Sequence, residues 1–174
     1  LGRLRVSCNI SARHLQRGNL PGDIRAILDA SGLPAAQLAL EITETVYMEN
    51  IDKARTMLDA VTDLGVRILL DDFGTGYSSL SYLQALSFDV IKIDRLFVKD
   101  LPDASSLALL RAMLGIAAGL GVTSLAEGVE TMEQYVLLKS LGCGRGQGYL
   151  FSPPVPAARF EELLREQKAG KRFP

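Results

Sequence analysis

Asp71 and Asp72 stand side by side in the stretch Leu69-Leu70-Asp71-Asp72-Phe73-Gly74-Thr75-Gly76-Tyr77-Ser78-Ser79-Leu80. Two adjacent carboxylates repel, and close packing leaves one of them neutral unless a cation sits between them. Neighbouring residues of a regular strand also point to opposite faces. Both acids therefore serve one site only if the apolar strand 68–70 ends there and the backbone swings round. Gly74 and Gly76 permit that swing, since glycine reaches dihedrals closed to other residues. A divalent-metal site beside a mobile loop meets these conditions. A solvated Asp-Asp turn meets them too, and the pair by itself leaves both readings open.

Other polar residues fall in or at the ends of apolar runs: Asn9, Glu41, Lys92, Glu127 and Gln147. Carboxylates with one amide oxygen are hard ligands, suited to Mg²⁺ or Mn²⁺ rather than zinc. Four acids on one rim allow two ions to sit close together and share a carboxylate. Such a pair clamps the attacking and leaving oxygens of an in-line displacement at phosphorus. Lys92 would then orient the nucleophilic water or stabilise developing charge. Two rival roles for Lys92 are a Schiff base and a structural ion pair. A Schiff-base lysine needs a low pKa, and surrounding carboxylates push it the other way. Glu44, three residues after Glu41, either anchors the Gly74-Thr75-Gly76 loop by accepting backbone N–H bonds or is an exposed acid at a helix N-terminus. Glu130 reads as a supporting acid of a helix first turn.

These residues need elements to hold them. The 174 residues are 48% hydrophobic, enough for one domain with a sizeable core. Net charge is −1 with no basic run, so nothing favours a nucleic-acid polymer held by its phosphates, and an anionic substrate would need bound cations. Cys8 and Cys143 lie far apart with no CxxC spacing, which fits a reducing compartment and argues against a zinc cage. His14 is the sole histidine, expected on a helix surface, so a Ser/His/Asp triad is disfavoured. The longest charge-free stretch, 112–126, is too short to span a bilayer and holds three glycines. The chain opens at Leu1 without a methionine, and no signal peptide is visible.

Hydrophobic periodicity predicts strands over 4–9, 38–43, 66–70, 90–94 and 122–126, and a short one around Gln147. Helices are predicted over 23–30, 51–64, 79–86, 105–120, from Thr131 to Leu141, and over 157–167. Strand and helix alternate at roughly 20 to 35 residues per unit, the pattern of parallel βα units with right-handed crossovers. In a TIM-like (β/α) barrel the strand ends converge on one face, where active sites are built. The expected fold is therefore α/β, a TIM-like barrel in an N-terminally truncated portion of about six strands. A closed barrel has eight, and the shortfall is expected before Leu1.

The motifs Val6-Ser7-Cys8-Asn9-Ile10-Ser11, Glu41-Ile42-Thr43-Glu44, Asp71-Asp72-Phe73-Gly74-Thr75-Gly76, Lys92-Ile93-Asp94, Glu127-Gly128-Val129-Glu130 and Gln147-Gly148-Tyr149 resemble the EAL domain, a family of bacterial cyclic-di-GMP phosphodiesterases. The resemblance covers essentially the whole chain, which it makes the C-terminal two-thirds of one EAL-type domain, 1–174. It implies that Asn9, Glu41 and Asp71 bind one metal ion. Asp71, Asp72 and Glu127 would bind the second, with Asp71 bridging. Catalytic roles fall on Lys92, Glu127, Gln147 and Glu44, and substrate contacts on Asp94 and Gln147. The implied reaction opens cyclic di-GMP to linear pGpG with two Mg²⁺ or Mn²⁺ ions, and Ca²⁺ would inhibit. The resemblance also implies a homodimer contact at 77–86, and an upstream sensory, receiver or GGDEF (diguanylate-cyclase) domain. The implied location is the cytoplasm, or the cytoplasmic part of a membrane-anchored sensor.

Two departures stand out. The Glu-Ala-Leu motif that names the family, with its metal-binding glutamate, is absent, as is the flanking arginine that meets substrate. Cys8 replaces an aliphatic residue, read as a harmless change of core filling. Two other readings are a non-catalytic cyclic-di-GMP receptor and a purely structural dimerisation module. Calorimetry with cyclic di-GMP and Ca²⁺ separates the module, which binds nothing. The chain by itself is expected to turn over no cyclic di-GMP, while the parent domain does. Hydrolysis assays of both with Mg²⁺ or Mn²⁺ check this, and turnover by the chain alone would refute it.

Overall fold

The computed structural model describes residues 4–44, 46, 51–76, 83 and 87–170. Six parallel strands form one sheet in sequence order: β1 Val6–Asn9, β2 Leu38–Thr43, β3 Arg67–Phe73, β4 Val90–Ile93, β5 Thr123–Ala126 and β6 Arg145–Gly146. The helices between them are α1 Ala12–Arg17, α2 Leu20–Ser31, α3 Ile51–Thr62, α4 Ala104–Gly119 and α5 Met132–Ser140, with α6 Ala157–Lys168 following β6. Sequential parallel strands with helical crossovers make this a six-stranded portion of a TIM-like barrel.

The central strands are near-continuous apolar runs because both faces are covered. Every residue of β4 is buried, and β2 is buried but for the partly exposed Thr43. One face carries the large cluster that includes Leu40, Ile42, Ile68, Leu70, Ile91 and Ile93, packed against helix residues such as Leu58, Val61, Leu110 and Leu114. The opposite face carries the small cluster Ala39, Leu69 and Val90, with Leu125 against it. That second face is the inside of the curved sheet.

Several expectations are refined. Helix α1 was not among the predicted helical spans, although His14 was expected on a helix surface; it is short, and His14 on it is exposed. The pattern placed α2 over 23–30, and it starts earlier, with Pro21 in its first turn, where a missing N–H costs nothing. The expected helix 79–86 lies, but for Leu83, outside the described residues. Cys8 is not a core residue. All four residues of β1 are exposed, because this strand is the margin of the sheet and pairs on one side only, with β2. No helix among the described residues is long and apolar enough to cross a membrane.

Leu110, fully buried in the middle of α4, is representative of the outer core. Leu110→Ala is expected to lower stability by about 2–5 kcal/mol, the transfer loss plus the residual cavity. Urea unfolding followed by circular dichroism measures it.

Candidate metal and phosphodiester site

Strand register decides which side chains share the inner face. Asn9 is the Cα partner of Glu41, and Glu41 of Leu69. Leu69 pairs with Val90, and Val90 with Thr123. Lys92 lies two residues beyond Val90 and pairs with Leu125, which pairs with Arg145. Glu127 and Gln147 lie two residues further on. Steps of two preserve the face of a strand. Asn9, Glu41, Lys92, Glu127 and Gln147 therefore climb one side of the sheet, the side of Leu69, Val90 and Leu125.

β3 needs one adjustment to add Asp71 and Asp72. Contrary to the expectation that the strand stops at Leu70, it runs on to Phe73. Leu70 pairs with Ile91 and Phe73 with Ile93, so three residues on β3 span what two span on β4, which is a bulge. Asp72 is the residue that turns, with φ 53°. Its carboxylate comes round to the side of Asp71, whose Oδ1 accepts the Asp72 N–H at 3.1 Å. The swing expected at the glycines is thus made chiefly at Asp72. Gly74 does take φ 95°. Gly76 is required for a different reason: a Cβ there would lie 2.6 Å from a carboxylate oxygen of Glu44.

At the centre is the ammonium of Lys92, buried at the level of the acids. Its Nζ donates to Glu41 Oε2 at 2.6 Å and to Asp71 Oδ1 at 2.7 Å, and lies 2.8 Å from Glu127 Oε1. Burial by itself would lower the pKa of this lysine, but hydrogen bonds to Asp71, Glu127 and Glu41 outweigh it and hold the pKa above the ordinary range. Three carboxylates favour the charged ammonium, which opposes the Schiff-base reading. Glu127 moves up, chiefly through burial; Lys92 opposes the shift, while Asp71 and Glu41 add to it. Asp72 also moves up, through burial first and then through the charges of Asp71 and Asp94. Carboxylates pushed toward neutrality by burial, with neighbouring acids adding to the shift, mark a site that accepts more positive charge.

Oxygens of Asp71, Asp72 and Glu127 all lie within 4.8 Å of one another, a spacing that suits one hard cation. Glu41 joins this group through Lys92. Asn9 reaches it only by register: it is exposed at the sheet margin, opposite Glu41. Gln147 is placed by its backbone, donating its N–H to Ala126 and accepting from Val129, while its side chain is exposed. Asp94 caps the short 3₁₀ turn Arg95–Phe97, accepting from Leu96 N at 2.8 Å. An apolar groove of about 430 Å³ runs between 147–155 and α6 and contains none of the carboxylates. Charge, and not concavity, locates the site.

Glu44 is buried and accepts the Gly76 N–H at 3.1 Å. Of the two readings of this residue, the loop anchor matches the contact. Sequence reasoning passed over Gln134, although Thr131-Met132-Glu133-Gln134 has the spacing of a capping box.

Residues 1–154 match the family description EAL domain. The chain belongs to the EAL domain family. It is 44% identical over 164 residues to the cyclic di-GMP phosphodiesterase NbdA of Pseudomonas aeruginosa, covering 94% of this chain and 21% of that protein. It is 42% identical over 153 residues to the oxygen sensor protein DosP of Escherichia coli, covering 87% of this chain and 19% of that one. The chain thus spans about a fifth of the length of these relatives. Among solved structures, the PaMucR phosphodiesterase in complex with c-di-GMP aligns with a TM-score of 0.85 at 37% identity, over 90% of this chain and 64% of that one. Klebsiella pneumoniae BlrP1 in a manganese and c-di-GMP complex aligns at 0.81 and 35%, over 88% and 40%.

Burial raises the pKa of Glu44 from the ordinary 4.5, and the N–H groups of Gly74 and Gly76 pull it partly back. With the folded value above the unfolded one, its contribution to stability is complete below pH 4.5 and fades as pH rises through the folded value. Glu44→Gln keeps an acceptor for Gly76 without the charge. The stability of this variant relative to the native protein is expected to grow from pH 4.5 upward and then level off. Urea melts between pH 4 and 8 would show it, and a flat difference would contradict it.

Proposed function

We propose that this chain is the metal-binding part of a cyclic-di-GMP phosphodiesterase that hydrolyses one phosphodiester of its substrate to give linear pGpG. The observation that carries the reading is the convergence of Glu41, Asp71 and Glu127 on one buried ammonium, with Asp72 beside Asp71 and Glu127, since a set of hard anions this dense matches the need of a metal-assisted displacement at phosphorus. The donor set fits Mg²⁺ or Mn²⁺, with Asp71, Asp72 and Glu127 around one position and Asn9, Glu41 and Asp71 around another. Bound there, divalent ions supply charge neutralisation at the phosphodiester and a nucleophilic water at neutral pH.

The chain's own residues do the remaining work. Lys92 holds the acids in register and, as a cation, donates a hydrogen bond and positive charge toward the attacked phosphorus. Glu127 is displaced upward by its burial while it pairs with Lys92. Glu44 holds the loop after β3 against the site through Gly76. Asp94 and Gln147 stand at the rim, where they would meet the substrate. Complexes of relatives with manganese and with calcium agree with a divalent-ion site, and inhibition by Ca²⁺ belongs to this proposal. So do a homodimer contact through 77–86 and an upstream sensory, receiver or GGDEF domain in the whole protein.

The test is hydrolysis of cyclic di-GMP by a complete EAL domain containing this chain, with Mn²⁺, followed by chromatography of the products. Turnover to pGpG is expected, and Lys92→Met should reduce kcat by about 100- to 1,000-fold, the usual loss of one preorganised electrostatic partner. Binding without turnover would favour the receptor reading instead.

A further inference from the structure

Gln134 is one of the few buried polar side chains of the protein, 6% exposed, and every edge of its amide is used. Its Oε1 accepts from Glu130 N at 2.8 Å and Thr131 N at 3.1 Å, while its own backbone N–H donates to Thr131 Oγ1 at 3.2 Å. That is a capping box at the start of α5, and glutamate would serve it equally well. The other half of the amide is not explained by the cap. Nε2 donates to Val98 O at 3.1 Å and, more weakly, to Lys99 O at 3.4 Å. These carbonyls belong to the segment that runs on from β4, carrying Lys92 in the strand and Asp94 just after it. The capped segment, after β5, begins with Glu127. A carboxylate at 134 would face two carbonyl oxygens, so the amide is chemically required for the bridge between the segments.

The same seam is tight elsewhere. Glu127 N donates to Ile93 O at 3.0 Å. A Cβ on Gly128 would lie 2.5 Å from Arg95 Cβ, so the two segments touch with no room for a side chain. Gln134 closes the far end of this seam. We infer that Gln134 is a positioning residue of the phosphodiesterase site, fixing the segment that carries Glu127 against the segment that carries Lys92 and Asp94. The inference rests on the metal-site reading above only for its functional consequence. Outer-sphere partners that orient ligands commonly cost ten- to a hundredfold in metal affinity or activity when lost.

Two variants separate the bridge from the helix cap. Gln134→Glu keeps the acceptor of the cap and removes the donor to Val98 and Lys99. Thr131→Val removes the cap's hydroxyl and leaves the amide bridge. Hydrogen exchange on the 174-residue chain reads the geometry without any ion. Exchange at Glu127 N–H is expected to accelerate at least about tenfold in Gln134→Glu, with Leu40 N–H in β2 unchanged, and to stay near native in Thr131→Val. Titration of a complete EAL domain containing this chain with Mn²⁺, followed by paramagnetic broadening, is expected to show affinity about tenfold weaker in Gln134→Glu alone. Equal effects of the two variants, or an unmoved Glu127 amide in Gln134→Glu, would overturn the inference. Should Gln134→Glu fail to fold, Gln134→Met loses the donor together with the cap's acceptor, and an effect on the Glu127 amide well beyond that of Thr131→Val is then the expected result. If the native complete domain shows no Mn²⁺ broadening, it is the metal-site reading that fails, and the exchange data still decide the role of Gln134.

Discussion

A single ammonium ion among several carboxylates is the interaction on which the rest of this protein depends. Each group taken out of water costs several kcal/mol, and mutual attraction offsets that cost only when geometry is close and lone pairs are filled. Lys92 meets the condition because three acids approach within hydrogen-bonding distance at once. The acids outnumber the cation, so the cluster carries an excess of negative charge with limited access to water. Glu127 and Asp72 are displaced upward chiefly by burial, and the neighbouring negative charges add to it. A site built in this way is underneutralised by design of the fold, and positively charged species are drawn to it.

What allows acids from distant parts of the chain to meet is the arithmetic of the parallel sheet. Steps of two along the strands keep Asn9, Glu41, Lys92, Glu127 and Gln147 on the concave face, and the stagger between neighbours lifts each pair higher than the last. Lys92 covers the height difference with its long side chain, reaching Glu41 below and Glu127 above. The bulge in β3 contributes the one exception to parity, and it delivers two carboxylates where a regular strand delivers one.

Most of this was legible in the residues. The alternation of apolar runs with helical periodicity gave the parallel architecture, and polar residues at the ends of those runs marked the rim. Thr131 announced the start of its helix correctly, whereas α3, expected to run to Leu64 under a Gly65 cap, ends at Thr62. The errors have a common origin in information that a local pattern does not hold. The strand through Asp71 looked finished because two charges follow an apolar run, yet pairing with β4 continues around the bulge. Cys8 was read as core filling because it stands where the family has an aliphatic residue, yet its exposure depends on what lies beside β1. Gln134 was invisible for the opposite reason. Its sequence signal is that of an ordinary cap, and only tertiary packing reveals that the second half of its amide reaches another segment.

The left-handed backbone of Asp72 has a consequence for how its charge can be studied. Most side chains resist φ 53°, at a cost of about 1–2 kcal/mol, whereas asparagine tolerates it. Alanine at this position would remove a carboxylate and tilt the bulge in the same stroke, so Asp71 would be displaced together with it. Asparagine alone among the small polar residues erases the charge while leaving the corner of the chain intact. Any comparison of electrostatics with architecture at this corner has to be made through the amide.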